Sequence, residues 1–392
     1  MVELFRSAGS LQFPGMTDAL PIILILGPTA GGKTELAVGL AQRLPGGGEC
    51  ICADSMQVYR GMDIGTAKPT PRQRAEVEHH LLNLLEPHQD GFSVDTWLDL
   101  AERAIAEIRG RGRYPIVVGG TNLYVQALLE GIFDGPEPDP ELRRRLEAVD
   151  PAELRRQLET IDPTAASQIH PNDRRRTVRA IEVYRLTGRR ISDLQGQWLT
   201  GTPRRDVRII GLDYPVQTIN NRINARARTM IRDGLVDEVK RLMAAGGLGR
   251  QASEALGYRQ VLEHLAGRQS LDRTLEQIRV RTRRYAKQQR SWLRRFRVHP
   301  DSSWIAAEGL SPQELVEKAL EAVLGAEKPA PTGLRPRAAS AAFRKDFLDE
   351  ADLNDQILPP TVGRDSPGHT HGQETTITEE DVDRTPNRPQ QR

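Results

Sequence analysis

The apolar run Ile22 to Leu26 is followed by a glycine-bearing turn and then by apolar positions at Leu36, Ala37, Leu40, Ala41 and Leu44, the spacing of one helix face. This predicts strand, loop, helix. A second short run, Glu49 to Ala53, leads into Asp54, and a third, Tyr114 to Val118, leads into Gly119 and Gly120. Short apolar runs separated by helical patterns predict an α/β fold, a parallel sheet covered by helices on both faces. From about Gly131 to Arg205 strand signals vanish and charged helical segments take over, punctuated by Asp150, Pro151, Pro163, Pro171 and Gly188. An inserted helical subdomain is expected there. Val207 to Leu212 reads as a strand returning to the sheet, and helices follow to about Leu324, with breaks at Gly246, Gly247 and Gly249. The expected division is an irregular extension (1–20), a first core part (21–130), the helical insertion (131–205), core completion with basic helices (206–326) and a disordered tail (327–392).

A chain of 392 residues exceeds one usual hydrophobic core, which fits two or three units. With 38% hydrophobic and 28% charged residues and no apolar run near the ~20 residues of a membrane span, a soluble globular protein is expected, with no membrane partner. Cys50 and Cys52 are the only cysteines. On a strand they would share one face about 6.6 Å apart, too far for a disulfide. The first 20 residues hold one basic side chain, Arg6, and no continuous apolar core, so the cytoplasm is the expected compartment; Met16 would serve equally well as a start. The net charge of +2 hides an asymmetry: residues 327–392 carry 9 basic and 12 acidic side chains, leaving 46 against 41 in the body. The tail also holds 8 of the 26 prolines.

Residues 27–34 read GPTAGGKT, the G-x-x-x-x-G-K-[ST] pattern, after a strand and before a helix. In this reading Gly27, Pro28, Thr29, Ala30, Gly31 and Gly32 form a phosphate loop, and the amides of Ala30 to Thr34 face an anion. Lys33 neutralises it and the Thr34 hydroxyl ligates Mg²⁺. A glycine-rich turn without ligand is the plainer alternative. The strand at Ile116 to Val118 ends in Gly119, Gly120 and Thr121 instead of an Asp, which speaks against a motor or switch NTPase. Asp54, at the carboxyl end of its strand, stands where open α/β sheets place their ligand crevice. A carboxylate there is a candidate proton acceptor, or else a helix N-cap.

Gln277 to Arg297 reads QIRVRTRRYAKQQRSWLRRFR, with nine cations, no acid, and Tyr285, Trp292 and Phe296 on one helix face. Such a helix repels itself without an anionic partner, for which nucleic acid is the natural candidate; the aromatics also read as a core stripe. Arg174, Arg175, Arg176 and Arg179 follow Asp173, and Arg222, Arg226 and Arg228 form a third basic set. Arg222 and Arg226, four apart, can clamp one anion. His79 and His80, read as helical neighbours diverging by about 100°, have no second ligand pair and are expected to be structural.

Together these segments resemble the tRNA dimethylallyltransferase (tRNA isopentenyltransferase) family. The similarity rests on GPTAGGKT at 27–34, ADSMQVYRGMDIGTAKP at 53–69, HHL at 79–81, IVVGGTNLYVQALLEG at 116–131 and IHPNDRRRTVRAIEVY at 169–184. It continues with RIN and Arg226 at 222–226, GLVDEV at 234–239, EALGYRQ at 254–260 and RYAKQQRSWLR at 284–294, in order from about Pro21 to Trp304. The resemblance implies a P-loop NTPase-like core and transfer of a dimethylallyl group from its diphosphate to the N6 amine of the adenosine 3′ of the anticodon, in tRNAs reading U-initial codons. It implies Asp54 as general base, with Thr121, Lys33 and Arg226 also catalytic, Arg222 and Arg226 on the diphosphate, and Mg²⁺ on Thr34. It further implies tRNA contacts from Asp54, Ser55, Met56, Gln57, Thr121, Arg143, Arg175, Arg176, Arg179, Gly257, Tyr258, Arg259, Lys287, Arg290, Trp292 and Arg294. A monomer acting on the anticodon stem-loop is expected. Departures from the family pattern are Leu82 and Asn83 after the histidines, Asn122 at a common Gly position, and a shortened insert between Val149 and Leu154. A P-loop kinase, a prenyltransferase acting on a free adenine nucleotide, and a non-catalytic RNA-binding protein are the rival readings.

Overall fold

The computed structural model describes residues 20–132, 135–195 and 204–325. The expected N-terminal extension, but for Leu20, and the expected tail lie outside them. β1 (Ile22–Leu26) leads through the glycine turn into α1 (Lys33–Arg43), and β2 (Gly48–Ala53) is followed by α2 (Pro71–Glu76) and the two-residue β3 (His79–His80). α3 (Val94–Gly110), β4 (Tyr114–Gly119) and α4 (Asn122–Glu130) complete the first half. Helices α5 (Pro140–Glu147), α6 (Pro151–Ile161), α7 (Pro163–Gln168), α8 (Arg174–Thr187) and α9 (Ile191–Gln195) come next. The chain returns through β5 (Val207–Asp213), α10 (Val216–Arg232), α11 (Leu235–Ala244), α12 (Arg250–Ser253), α13 (Tyr258–Leu265), α14 (Leu271–Phe296), β6 (Ser302–Ala306) and α15 (Pro312–Leu324).

The six strands form one parallel sheet in the order β3-β2-β4-β1-β5-β6. Ile22 to Leu26 are buried on both sides, as a central parallel strand requires. One face of β1 carries Ile23 and Ile25 against α1, α10 and α15; the other carries Ile22, Leu24 and Leu26 toward α3, α4 and the end of α14. Two strands were not anticipated: β3, where a helix was read, and β6. Both are sheet edges. β3 has two residues and β6 only one fully buried apolar side chain, Ile305, so neither leaves an apolar run. As strand residues, His79 bonds the Val77 carbonyl (2.8 Å) and His80 the Glu49 carboxylate (2.7 Å).

Helices α5 to α9 have their own core, built on Leu142, Leu146, Leu154, Leu158, Ile181 and Leu194. Their boundaries come from a repeated device: Asp139, Asp150 and Asp162 each cap a helix whose first residue is proline. The carboxylate satisfies first-turn amides, and proline loses no bond where its missing N–H would be unpaired. A further core joins Val58, Tyr59 and Met62, after β2, to Leu235 and Val239 of α11, Tyr258 of α13 and Ile278 of α14. Cys50 and Cys52 are free and buried. No helix among the described residues is long and apolar enough to cross a membrane.

Parallel pairing brings all strand carboxyl ends to one edge, and the ends of β1, β2, β4 and β5 become neighbours there. Gly119 permits the β2 to β4 approach: a Cβ on it would lie 2.0 Å from the Ala53 carbonyl oxygen. Backbone cannot swing aside as a side chain can. Gly119→Ala is expected to destabilise the fold by about 1–3 kcal/mol, read as a lower urea midpoint; an unchanged midpoint would contradict the close approach.

Candidate active site

The turn after β1 folds over an ammonium. Lys33 Nζ donates to the carbonyls of Gly27 and Pro28, each at 3.0 Å, while Ala30 (φ 62°) and Gly32 (φ 83°) take left-handed conformations. Gly32 caps α1 without a side-chain bond, leaving first-turn amides for an anion. One expected amide is missing from that set, because Gly31 N–H donates to the Pro28 carbonyl at 3.1 Å. Arg226 Nη2 donates to Thr29 Oγ1 at 2.6 Å, placing a second cation on the loop. Arg222 lies over the Tyr214 ring at 4.6 Å, and the Tyr214 hydroxyl donates to the Gly31 carbonyl. Two of the four arginines of α10, Arg226 and Arg222, therefore reach the loop, one directly and one through an aromatic.

Asp54 follows β2 directly. Its Oδ1 accepts the amides of Met56 (2.9 Å) and Gln57 (3.4 Å). Its Oδ2 faces Gly120 of the β4 turn, where a Cβ would come within 3.7 Å of it. Thr121, the first-turn cap of α4, holds the segment from the other side: its Oγ1 accepts the Ser55 amide at 2.9 Å, and its own amide donates to the Ala53 carbonyl. Burial pushes the Asp54 carboxyl above its ordinary range, opposed by the two amides and then by Lys33 and Arg226. Burial, and then Arg226, push Lys33 down to about 8, with Asp54 opposing. Two recessed cations against one carboxylate leave the site net positive.

The inner face of α14 closes this edge. Gln289, 1% exposed, accepts the Thr29 amide (2.8 Å) and donates to the Gly120 carbonyl (3.0 Å), which also accepts the Tyr285 hydroxyl (2.8 Å). Gln289 thus ties the phosphate loop to the turn beside Asp54. Sequence reasoning missed it. The signal was a glutamine at the position that continues the Tyr285, Trp292, Phe296 stripe, where a buried amide needs partners.

The Thr34 hydroxyl, half-exposed on the first turn of α1, makes no hydrogen bond with the described residues, and these hold no cluster of three or more His, Cys, Asp or Glu suited to a metal. That donor set fits a hard cation such as Mg²⁺, bound chiefly through phosphate oxygens and water.

Comparison with known proteins identifies the family. A family model described as IPP transferase matches residues 57–296. The tRNA dimethylallyltransferase of Anaeromyxobacter dehalogenans is 46% identical over 292 residues, covering 70% of this chain and 92% of its own length. The chain belongs to the tRNA dimethylallyltransferase family. Its members are transferases, and the kinase reading finds no support in these matches. The crystal structure of the tRNA isopentenylpyrophosphate transferase of Bacillus halodurans has 37% identity and a TM-score of 0.58 over 78% of this chain and 96% of that one. A eukaryotic dimethylallyltransferase, in crystallographic snapshots of its action on tRNA, has 26% identity and a TM-score of 0.67 over 83% of each chain.

The other residues implied by the resemblance divide into two groups. Lys287, Arg294 and Arg175 are exposed, and Arg290 is half-buried with an Nη1 that has no hydrogen-bond partner among the described residues. Ser55 and Met56 line the turn beside Asp54, and Gly257 (φ 92°) caps α13. Two expected tRNA contacts are corrected. Trp292 packs on Phe296 in the core (centroids 6.1 Å), and Tyr258 is fully buried with its hydroxyl on Glu238 (2.6 Å), so neither side chain faces solvent. Gln57 spends its amide within its own segment, on the Thr66 carbonyl. Arg143 and Arg179 both pair with the buried Glu182, Arg176 with Asp173, and Arg259 with Glu254.

A bound anion favours protonated Lys33, so binding must take up a proton once pH exceeds the free value. Inorganic diphosphate, titrated calorimetrically without Mg²⁺, should bind more weakly as pH rises above about 8, by up to about tenfold per pH unit. Constant affinity from pH 7 to about 9.5 would contradict the placement of Lys33 on the anion.

Proposed function

We propose that this chain transfers the dimethylallyl group of dimethylallyl diphosphate to the N6 amine of the adenosine 3′ of the anticodon in tRNAs reading U-initial codons. The observation that carries the reading is Asp54, with one oxygen fixed by amides and the other facing Gly120, which has no side chain to cover it, beside two recessed cations. An adenine amine is a weak nucleophile because its lone pair is delocalised into the ring. Asp54 Oδ2 takes its proton as the N6–C bond forms, and the allylic C–O bond breaks with its electron pair leaving on diphosphate. Lys33 and Arg226 face that growing charge, and the α1 amides are already aimed at it. Mg²⁺, which Thr34 would hold, neutralises part of the diphosphate charge when bound. Thr121 and Gln289 position; neither needs to touch the reacting atoms.

The target base must leave the anticodon stack, at a cost of a few kcal/mol that contacts elsewhere offset. The outer face of α14 supplies such contacts. Arg279 and Arg283 are neutralised by Glu276, Arg295 by Glu130 and Arg297 by Asp213, whereas Lys287 and Arg290 have no carboxylate partner among the described residues. Residues 131–205 serve as the inserted unit that grips the anticodon stem, with Arg175 presented outward and Arg143 held back on Glu182. The chain is read as a monomer, and action on tRNA implies the cytoplasm.

Asp54→Asn is expected to lower turnover by about 10²–10⁴ with tRNA affinity retained; near-normal turnover would exclude the base role. Replacing Arg290 and Arg294 by Ala should weaken tRNA binding and reduce the slope of log K against log salt by about 1.5. An unchanged slope would exclude phosphate contacts by this face.

A further inference from the structure

Between Asp54 and α2 the chain makes a strap that no regular element supports, and a carboxylate from a distant helix organises it. Glu238 of α11 is 3% exposed. Its Oε2 accepts the amides of Asp63 (3.0 Å) and Ile64 (2.8 Å), and its Oε1 accepts the Gly65 amide (3.2 Å) and the Tyr258 hydroxyl (2.6 Å). The Tyr258 ring lies against Gly65 so closely that a Cβ there would be 2.3 Å from it. Lys68 closes the strap from within, donating to the Tyr59 carbonyl, to Asp63 Oδ1 (2.9 Å) and to Asn83 Oδ1 (2.7 Å). Between these anchors Ala67 is held at φ 50°, a left-handed conformation that alanine adopts only when its surroundings impose it.

The strap is connected to the base. Gln57 Nε2 donates to the carbonyls of Thr66 (3.1 Å) and Ala67 (3.5 Å), its Oε1 accepts the Cys52 thiol, and its backbone amide is one of the two donors on Asp54 Oδ1. The path runs from Glu238 to the 63–65 amides, to the Thr66 and Ala67 carbonyls, to Gln57, to Asp54. We propose that Glu238 is a positioning residue for the prenyl transfer, setting the Gln57 amide against Asp54 through the strap, without contact to either substrate. This rests on the reading of Asp54 as the base. Glu238 and Tyr258 thereby acquire a role that exposure to RNA does not provide, and burial of Tyr258 becomes a requirement of the site.

The test is Glu238→Gln, which keeps the shape but offers an NH₂ where amides need an acceptor. Turnover should be normalised to the number of sites that bind inorganic diphosphate, because the cradle lies on α1 and α10, outside the strap. The expected result is diphosphate affinity within about twofold of the parent and turnover per site about tenfold lower. The acid limb of kcat/KM should move to higher pH, because Asp54 loses a donor that favours its anion. Lys33, Arg226, Tyr285, Tyr124 and Cys52, the other titratable groups around Asp54, are unchanged in this variant. Tyr258→Phe keeps the ring against Gly65 and removes one donor; a smaller loss in the same direction is expected, and it decides the matter if Glu238→Gln does not fold. Parental turnover per site would overturn the proposal, and so would a loss with the acid limb unmoved, since Glu238 would then support the fold without reaching Asp54. Asp54→Asn run alongside separates the claims. An inactive Asp54→Asn with a fully active Glu238→Gln refutes the positioning role alone; a fully active Asp54→Asn refutes the base and the positioning role with it.

Discussion

Two recessed cations facing one carboxylate are the constraint on which the site depends. Lys33 and Arg226 repel each other, and burial opposes both charges, as the depressed value of Lys33 records. Asp54 offsets part of this, yet it is itself held above its ordinary range by burial. An anion resolves the imbalance. Under the proposed function, diphosphate on the loop takes over the cations that hold Asp54 ionised and leaves the carboxylate a stronger base. In that reading substrate binding and base strength are coupled by this sharing of charge, and the same cations then meet the charge that develops on the leaving group.

The fold produces this arrangement through one architectural choice. In a fully parallel sheet the ends of β1, β2, β4 and β5 lie together, and each contributes a different part: the glycine turn, Asp54, Gly120 and Tyr214. α14 links them. Its inner face carries Tyr285 and Gln289 into the site and Trp292 and Phe296 into the core, while its outer face carries Lys287 and Arg294 into solvent. One helix serves as core element, as clamp between the phosphate loop and the Gly120 turn, and as basic surface, so anything docked on the outside bears on the element that braces the inside.

Much of this was legible in the residues. Central parallel strands announce themselves because burial on both faces demands continuous apolar runs, so β1, β2, β4 and β5 were found within a residue or two. The edge strands β3 and β6 carry no such demand and left no run. GPTAGGKT and Asp54 were readable because their chemistry is local: a loop, a helix start, a strand end. Gln289 and Glu238 were not. Their partners lie far away in sequence, Gln289 some 260 positions from Thr29 and Glu238 some 175 from Asp63. Composition also misdirected. Trp292 and Tyr258 look like RNA-stacking aromatics beside arginines, yet burial of their large rings prevails, and several arginines of the basic sets are paired with Glu276, Glu182 and Glu130.

The account makes the phosphate loop a holder for a leaving group, not for a nucleotide. Its most direct test is to incubate the purified protein with unmodified tRNA, Mg²⁺ and dimethylallyl diphosphate, in parallel with ATP in its place, then digest the tRNA and weigh its nucleosides. The account predicts a prenylated adenosine with the allylic diphosphate alone and no adduct with ATP. An unmodified adenosine pool together with consumption of ATP would contradict it.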